Sequence, residues 1–291
     1  MLEPVIKWSG SKRSQAKEIL KYFPSEIDTY YEPFIGGGSV MFALLHSQIK
    51  VKHYICSDIN KDLIDLYNII KNQPNEVSNH YKKLWGELNK DNNLDRKKDY
   101  FNFIRDRYNE EHNPMDFMFI MRTTTNGMPR YNNEGKFNNS FHITRNGIEP
   151  DKLHEIITEW SYTLNSKNVM FNHCSFDVYE PKELDFIYLD PPYANTKGMY
   201  FGDFNVDNFF EWLQKINCSW ALSFDGTVHS VDNSNDFTYN VPKDIYDEHT
   251  YIKSGNSSFR RTIGKSNNSI VYESLYLKGI NKTVNKPTKL F

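Results

Sequence analysis

The sequence predicts an α/β fold: a mostly parallel sheet flanked by helices and interrupted by an inserted, mainly helical segment. Two signals carry this reading. A strand-forming stretch, Thr29–Phe34, runs through three glycines into a short helical stretch and a second strand, Val51–Cys56, which makes a β-α-β unit. Far downstream, Leu184–Leu189 is a near-continuous apolar run, the pattern of a strand buried on both faces. Between them the chain turns polar. The sheet-forming parts, residues 1–70 and 164–291, are therefore expected to form one discontinuous domain around a second at 71–163.

The elements follow in order. Ser14–Tyr22 has helical character and stops before Pro24. Gly36-Gly37-Gly38 makes the turn after the first strand, and Ser39–His46 reads as a short helix. Val51–Cys56 closes on Ser57-Asp58, and Asp62–Ile70 places its apolar residues at helical spacing. From Asn72 to Asn113 the chain is polar, with helical patches such as Tyr100–Arg107. Arg122–Gly147 is crowded with Asn, Gly, Thr and Arg. So long an irregular stretch in a compact chain is either functional or disordered, and its aromatics Tyr131, Phe137 and Phe141 argue against disorder. Asp151–Thr163 reads as helix and Val169–Phe171 as strand. Beyond Leu189 come Asp190-Pro191-Pro192-Tyr193, a helix over Phe209–Ile216 and a buried strand over Trp220–Phe224. A polar loop over Ser254–Ser269, an alternating strand over Ile270–Leu277 and a frayed, lysine-bearing tail complete the chain.

Composition narrows the function. The net charge of −2 means that any nucleic-acid role needs local positive charge rather than a basic coat. Cys56, Cys174 and Cys218 lie far apart with no CxxC spacing, and the histidines show no HExxH, so no metal site is expected. The N-terminus lacks an apolar signal core, and no run reaches the roughly 18 apolar residues of a membrane helix. A cytoplasmic protein with no membrane partner is expected.

Two motifs carry chemistry. A glycine turn between strand and helix, in Pro33–Val40 (PFIGGGSV), lets a ligand approach the backbone closely, and Asp58 follows at the spacing of an acid that binds ribose hydroxyls. Glycine turns also close many βα units for structural reasons alone. The dinucleotide pattern GxGxxG is incomplete, with Met41 at its last glycine, which counts against a nicotinamide-dependent oxidoreductase. Asp190-Pro191-Pro192-Tyr193 is more specific. Two prolines after a buried strand remove N–H donors, leaving carbonyls and the Asp carboxylate as acceptors beside a flat Tyr ring. Such a set suits an exocyclic NH2 group.

KWSGSK at Lys7–Lys12, EPFIGGGSV at Glu32–Val40, SDIN at Ser57–Asn60, RYNNEGKFN at Arg130–Asn138 and YLDPPY at Tyr188–Tyr193 together resemble the Dam-like (group alpha) DNA adenine-N6 methyltransferase family, in that family's order. The resemblance implies a Rossmann-like, seven-stranded methyltransferase sheet with S-adenosylmethionine as cofactor, and an inserted domain that recognises double-stranded DNA. It implies cofactor contacts for Trp8, Lys12, Phe34, Gly36, Gly38, Asp58, Phe176 and Asp190. Asp190, Pro191, Pro192 and Tyr193 would hold the target base. Asn126, Met128, Arg130, Asn138 and Arg122 would contact DNA, with Arg130 reading a guanine edge bidentately. Lys136, Arg145, Arg260 and Arg261 are further phosphate candidates, and His142 reads as a structural loop histidine.

The chemistry expected is methyl transfer to adenine N6 by base flipping, because the amino group is out of reach inside a duplex. Hydrogen bonds from N6 to the Asp190 carboxylate and the Pro191 carbonyl would localise its lone pair and stabilise the developing positive charge. GATC or a related short site is the expected target. Thr125, where GATC-specific members carry an intercalating aromatic, and Asn139-Ser140, where they carry an apolar-proline pair, depart from that pattern. The same fold acting on cytosine N4 or on RNA, and a DNA binder without catalysis, are the alternatives. The resemblance fits a monomeric orphan enzyme or one with a cognate restriction endonuclease as genetic neighbour, bacterial or phage-encoded.

Overall fold

A computed structural model describes residues 3–192, 204–229, 241–256 and 270–280. Short helix α1 (Ala16–Ile19) leads into β1 (Glu26–Glu32), α2 (Ser39–Leu45), β2 (Lys50–Asp58) and α3 (Lys61–Asn72). Four helices then intervene: α4 (Pro74–Leu88), α5 (Leu94–Glu111), α6 (Pro114–Thr123) and α7 (Pro150–Ser166). The sheet resumes with β3 (Met170–His173) and β4 (Phe186–Leu189), followed by α8 (Val206–Lys215), β5 (Ser219–His229), β6 (Glu248–Asn256) and β7 (Ile270–Lys278).

The seven strands lie in the order β3-β2-β1-β4-β5-β7-β6. β1 pairs in parallel with β2 and β4, as β2 does with β3 and β4 with β5, whereas β7 runs antiparallel to β5 and β6. The chain winds outward from β1 to β3 and then returns to β4 on β1's other side, so the crevice at the carboxyl ends of β1 and β4 is the topological switch point, where ligands bind in such sheets. The sheet is Rossmann-like, as expected.

β4 shows why the apolar run is continuous. Phe186 and Tyr188 pack into the core beneath the helical layer, while the alternate residues Ile187 and Leu189 pack against Phe209, Phe210 and Leu213 of α8 on the opposite face. In the helical layer, Trp160 of α7 stacks on Phe42 of α2 with centroids 3.9 Å apart, and Tyr67 of α3 stacks on Phe171 of β3. α7 thus packs on the sheet side as well as against α4.

Three elements differ from the expectations. α5 and α6 are full helices. α6 was hidden because Phe117–Met121 is buried on every side, which erases helical periodicity, although Asn113 caps it and Pro114 occupies its first turn. β6 begins before the expected polar loop and takes in its first residues, Ser254–Asn256; residues 257–269 of that loop lie outside the described residues. β6 is an edge strand of mixed polar composition, so it carries no apolar run to betray it.

Candidate cofactor and target-base site

A cleft of about 280 Å³ opens at the switch point. Its lining brings together most of the expected site: Trp8, Lys12, Phe34, the Gly36–Gly38 turn, Asp58, Phe176, Asp190, Pro191 and Pro192. Tyr193 lies outside the described residues, as do Arg260 and Arg261.

Each group is held for a local reason. Gly36 and Gly38 adopt left-handed φ values of 44° and 65°. A Cβ on Gly36 would meet the Trp8 indole nitrogen at 2.8 Å, and one on Gly38 would meet the Tyr67 hydroxyl at 2.9 Å. The turn is a cradle that a side chain would fill. Tyr67, within the stretch read as helix, also donates its hydroxyl hydrogen to the Gly36 carbonyl at 2.8 Å. Asp58, at the end of β2, accepts the Gly36 N–H on Oδ2 (3.1 Å) and the Asn60 N–H on Oδ1 (3.0 Å). Burial pushes its carboxyl up to about 6 against the pull of these donors. Phe34 and Phe176 face each other at 5.5 Å, with Phe204 edge-on to Phe34. This aromatic corner can accept a flat ring.

At the end of β4 the Lys12 ammonium donates to Asp190 Oδ1 at 2.7 Å and lies 3.6 Å from Glu273 Oε2 of β7. Lys12 is only 4% exposed, so this is a sheltered ion pair. Burial raises the Asp190 carboxyl to about 6, and Lys12 opposes the shift. Glu32, which sequence reading missed as a lining residue, is buried, takes a hydrogen bond from Tyr30 at 2.6 Å and is pushed up to about 8 by burial. The only sequence signal for it was an acid at a strand end just before Pro33.

The expected DNA-contact loop is a hairpin, not irregular coil. Thr124 bridges Phe141 and Tyr131 bridges Phe137. Asn132 Oδ1 accepts the N–H groups of Glu134 and Lys136 to close the turn, and the Asn109 side chain exchanges two bonds with Phe137's backbone, pinning the hairpin to α5. Asn126, Arg130, Asn138 and Lys136 are exposed and Met128 is half-buried. Pro129, between two of these candidates, lines the cleft itself. Ser9 N–H donates to Gly127's carbonyl, tying the hairpin's base to the KWSG segment.

Arg122 is not brought to this surface. Its guanidinium donates to the carbonyls of Pro4 and Val5, the latter at 2.7 Å. An arginine at the end of α6 satisfies the N-terminal segment through its Nε and Nη2 hydrogens. Arg145 and His142 instead share a positive neighbourhood with Lys7, a residue not singled out from the sequence: Lys7 and His142 are both lowered, first by burial and then by Arg145. Thr125 and Asn139, the departures noted above, close the hairpin's base. Thr125 N–H donates to Ser140's carbonyl, and the Asn139 amide to the carbonyls of Thr125 and Met128.

Comparison with known proteins decides the family. The model for D12 class N6 adenine-specific DNA methyltransferases matches residues 8–261. The chain belongs to this class of methyltransferases. A type II methyltransferase of Methanocaldococcus jannaschii is 31% identical over 250 residues, covering 76% of this chain and 84% of that protein. The DNA adenine methylase of Haemophilus influenzae is 32% identical over 198 residues, covering 66% of this chain and 64% of that one. A solved rRNA methyltransferase from Streptomyces viridochromogenes aligns over 90% of this chain and 82% of its own at a TM-score of 0.33 and 12% identity, too weak a likeness to bear on the fold. D12 methyltransferases use S-adenosylmethionine as methyl donor. The glycine cradle, the Asp58 carboxylate and the Phe34–Phe176 corner fit its amino-acid, ribose and adenine parts in chemistry. No helix among the described residues is long and apolar enough to cross a membrane.

Proposed function

We propose that this D12 methyltransferase methylates adenine N6 within a short site of double-stranded DNA, with the target base flipped into the cleft beside Asp190. One observation carries the reading: the carboxylate ending β4 and Pro129 of the hairpin line the same cleft as the Gly36 turn and Asp58. On this reading the cofactor pocket, the base acceptors and the hairpin would be contiguous.

S-adenosylmethionine would supply a methyl group already activated on sulfonium. Asp58 would hold the ribose hydroxyls, Phe34 and Phe176 the adenine ring, and Trp8 with the Gly36–Gly38 backbone the methionine end. Asp190 and the carbonyl of Pro191 would accept the two N6 hydrogens, drawing the lone pair out of the ring and favouring positive charge on nitrogen. Lys12 keeps Asp190 anionic and oriented. Tyr193, next along the chain, is the stacking surface the sequence offers. Arg130 would read guanine, and Lys7, His142 and Arg145 would meet phosphates. The hydrogen-bonded Thr125 and Asn139 favour a site other than GATC, because neither is available as an intercalating wedge.

Residues 71–163 would serve target recognition around this catalytic domain. A monomeric state is a reading of the resemblance. A partner endonuclease, and the choice between orphan and restriction-modification roles, are readings of the resemblance.

Asp190→Ala tests the reading at its centre. Methyl transfer should fall by orders of magnitude while circular dichroism stays native. Turnover near that of the unmodified enzyme would overturn the role given to Asp190.

A further inference from the structure

Asn60 touches both halves of the site. Its N–H donates to Asp58 Oδ1 (3.0 Å), the acid assigned to ribose. Its side-chain Oδ1 accepts the Leu63 N–H (3.1 Å), capping α3 and fixing the amide's direction. Its Nδ2 donates to the Tyr131 hydroxyl at 3.0 Å. Tyr131 follows Arg130 directly, and its phenol also hydrogen-bonds Tyr108, whose hydroxyl donates to Asp62 in the first turn of α3. The turn that carries Asp58 and the start of α3 are therefore joined to the hairpin twice through one phenol oxygen. The ring packs edge-on against Phe137 at 5.7 Å, and Phe137 is the residue it bridges across the hairpin. Arg130's carbonyl accepts the Asn138 N–H, so the reader's backbone is fixed by its neighbour on one side and this bond on the other.

Packing alone does not call for that hydroxyl, since a phenylalanine would fill the same space against Phe137. A phenol there matters through its bonds to Asn60 and Tyr108. Ribose hydroxyls arriving at Asp58 would immobilise the turn from Asp58 to Asn60. A hairpin already steadied in this way loses less freedom when it then grips DNA, which is positive coupling without a large movement.

We propose that Tyr131 is a positioning residue that couples the cofactor site to base reading, its phenol tying the turn bearing Asp58 to the hairpin bearing Arg130. The inference rests on the assignment of Asp58 to the cofactor and Arg130 to DNA. Coupling of this kind is reciprocal: whatever factor the cofactor adds to site-specific DNA affinity, the DNA adds to cofactor affinity.

The test uses the full chain and S-adenosylhomocysteine, which cannot react. Affinity is measured by fluorescence anisotropy for a duplex carrying the mapped site and for one with the guanine pair changed, with and without S-adenosylhomocysteine. In the unmodified protein the compound should sharpen discrimination between the duplexes by about fivefold or more. Tyr131→Phe should bring that factor to within about twofold of unity while leaving S-adenosylhomocysteine affinity without DNA unchanged. Asn60→Ser, which can still cap α3 but cannot reach the phenol, should reduce the factor in the same direction. A purely structural role predicts something else: a lower melting temperature, equal weakening of all DNA binding and an unchanged coupling factor. That outcome would overturn the proposal, as would an uncoupled wild-type protein that still methylates DNA. The same preparation is assayed for methylation with S-adenosylmethionine. A wild-type protein that binds the cofactor but transfers no methyl group to DNA would defeat the assignment beneath the proposal, and the coupling with it.

Discussion

Asp58 and Asp190 are carboxyls whose surroundings work against their charge, and the consequence is a pH dependence with a defined sign. Burial raises both to about 6, above the usual carboxylate range. Each is charged above that value and neutral below it. In the proposed roles, ribose hydroxyls and N6 hydrogens would donate to these carboxyls, which favours the charged forms. Cofactor affinity should therefore be full above pH 6 and weaken as pH falls through it, by about tenfold per unit at most for one proton. Calorimetric titration of S-adenosylhomocysteine from pH 8 to 5 measures this, and Asp58→Asn should bind more weakly with a flat profile. A wild-type profile flat to pH 5 would contradict the role of Asp58. Arg130 makes a different prediction, because it bears on recognition alone. Arg130→Ala should reduce discrimination at one guanine by about 1–3 kcal/mol, read by methylation of duplexes altered one pair at a time; unchanged preference would show that another residue reads the base.

Among the elements, α7 is both structural anchor and crossover to β3. Trp160 is 1% exposed, stacks on Phe42 and donates its indole N–H to the Glu3 carbonyl at 3.0 Å. Trp160→Ala should cost about 3–5 kcal/mol of stability, measured by urea unfolding; a loss below about 1 kcal/mol would mean the layer repacks freely. The legibility of elements followed burial pattern. β1, β2 and β4 announced themselves through apolar or β-branched runs punctuated by Gly36–Gly38, Ser57-Asp58 and Asp190-Pro191. α6 did not, because Phe117–Met121 has no exposed face to set a period. β6 did not, because an edge strand pairs on one side only. The hairpin looked irregular because its order comes from side chains such as Asn109, Asn132 and Asn139 rather than from a long ladder. That kind of order leaves no periodic trace. Arg122 misled for a related reason: an arginine near a loop expected to contact DNA looks available until its carbonyl partners, more than a hundred residues away in sequence, are known.

Taken whole, the molecule places a cleft where distant stretches of chain converge: the KWSG segment, the ends of β1, β2 and β4, and the hairpin after α6. With a net charge of −2, the proposed DNA binding would rest on local charge such as Lys7 and Arg145 rather than on a global field. The motifs made the cleft-lining residues of the Gly36–Gly38 turn, Asp58 and Asp190 readable in the sequence. The meeting of hairpin and cleft at Pro129 was not, since it depends on how α4 and α6 stack on α3 and α5 on α6. The claim that binds these parts together is adenine-N6 methylation of duplex DNA at a defined site. Its most direct test is incubation of unmodified genomic DNA with tritiated S-adenosylmethionine, followed by nucleoside analysis and mapping of the label. Label confined to N6-methyladenine at one short guanine-containing motif is the predicted result. Label in N4-methylcytosine, or none in DNA from a folded, cofactor-binding sample, would contradict it.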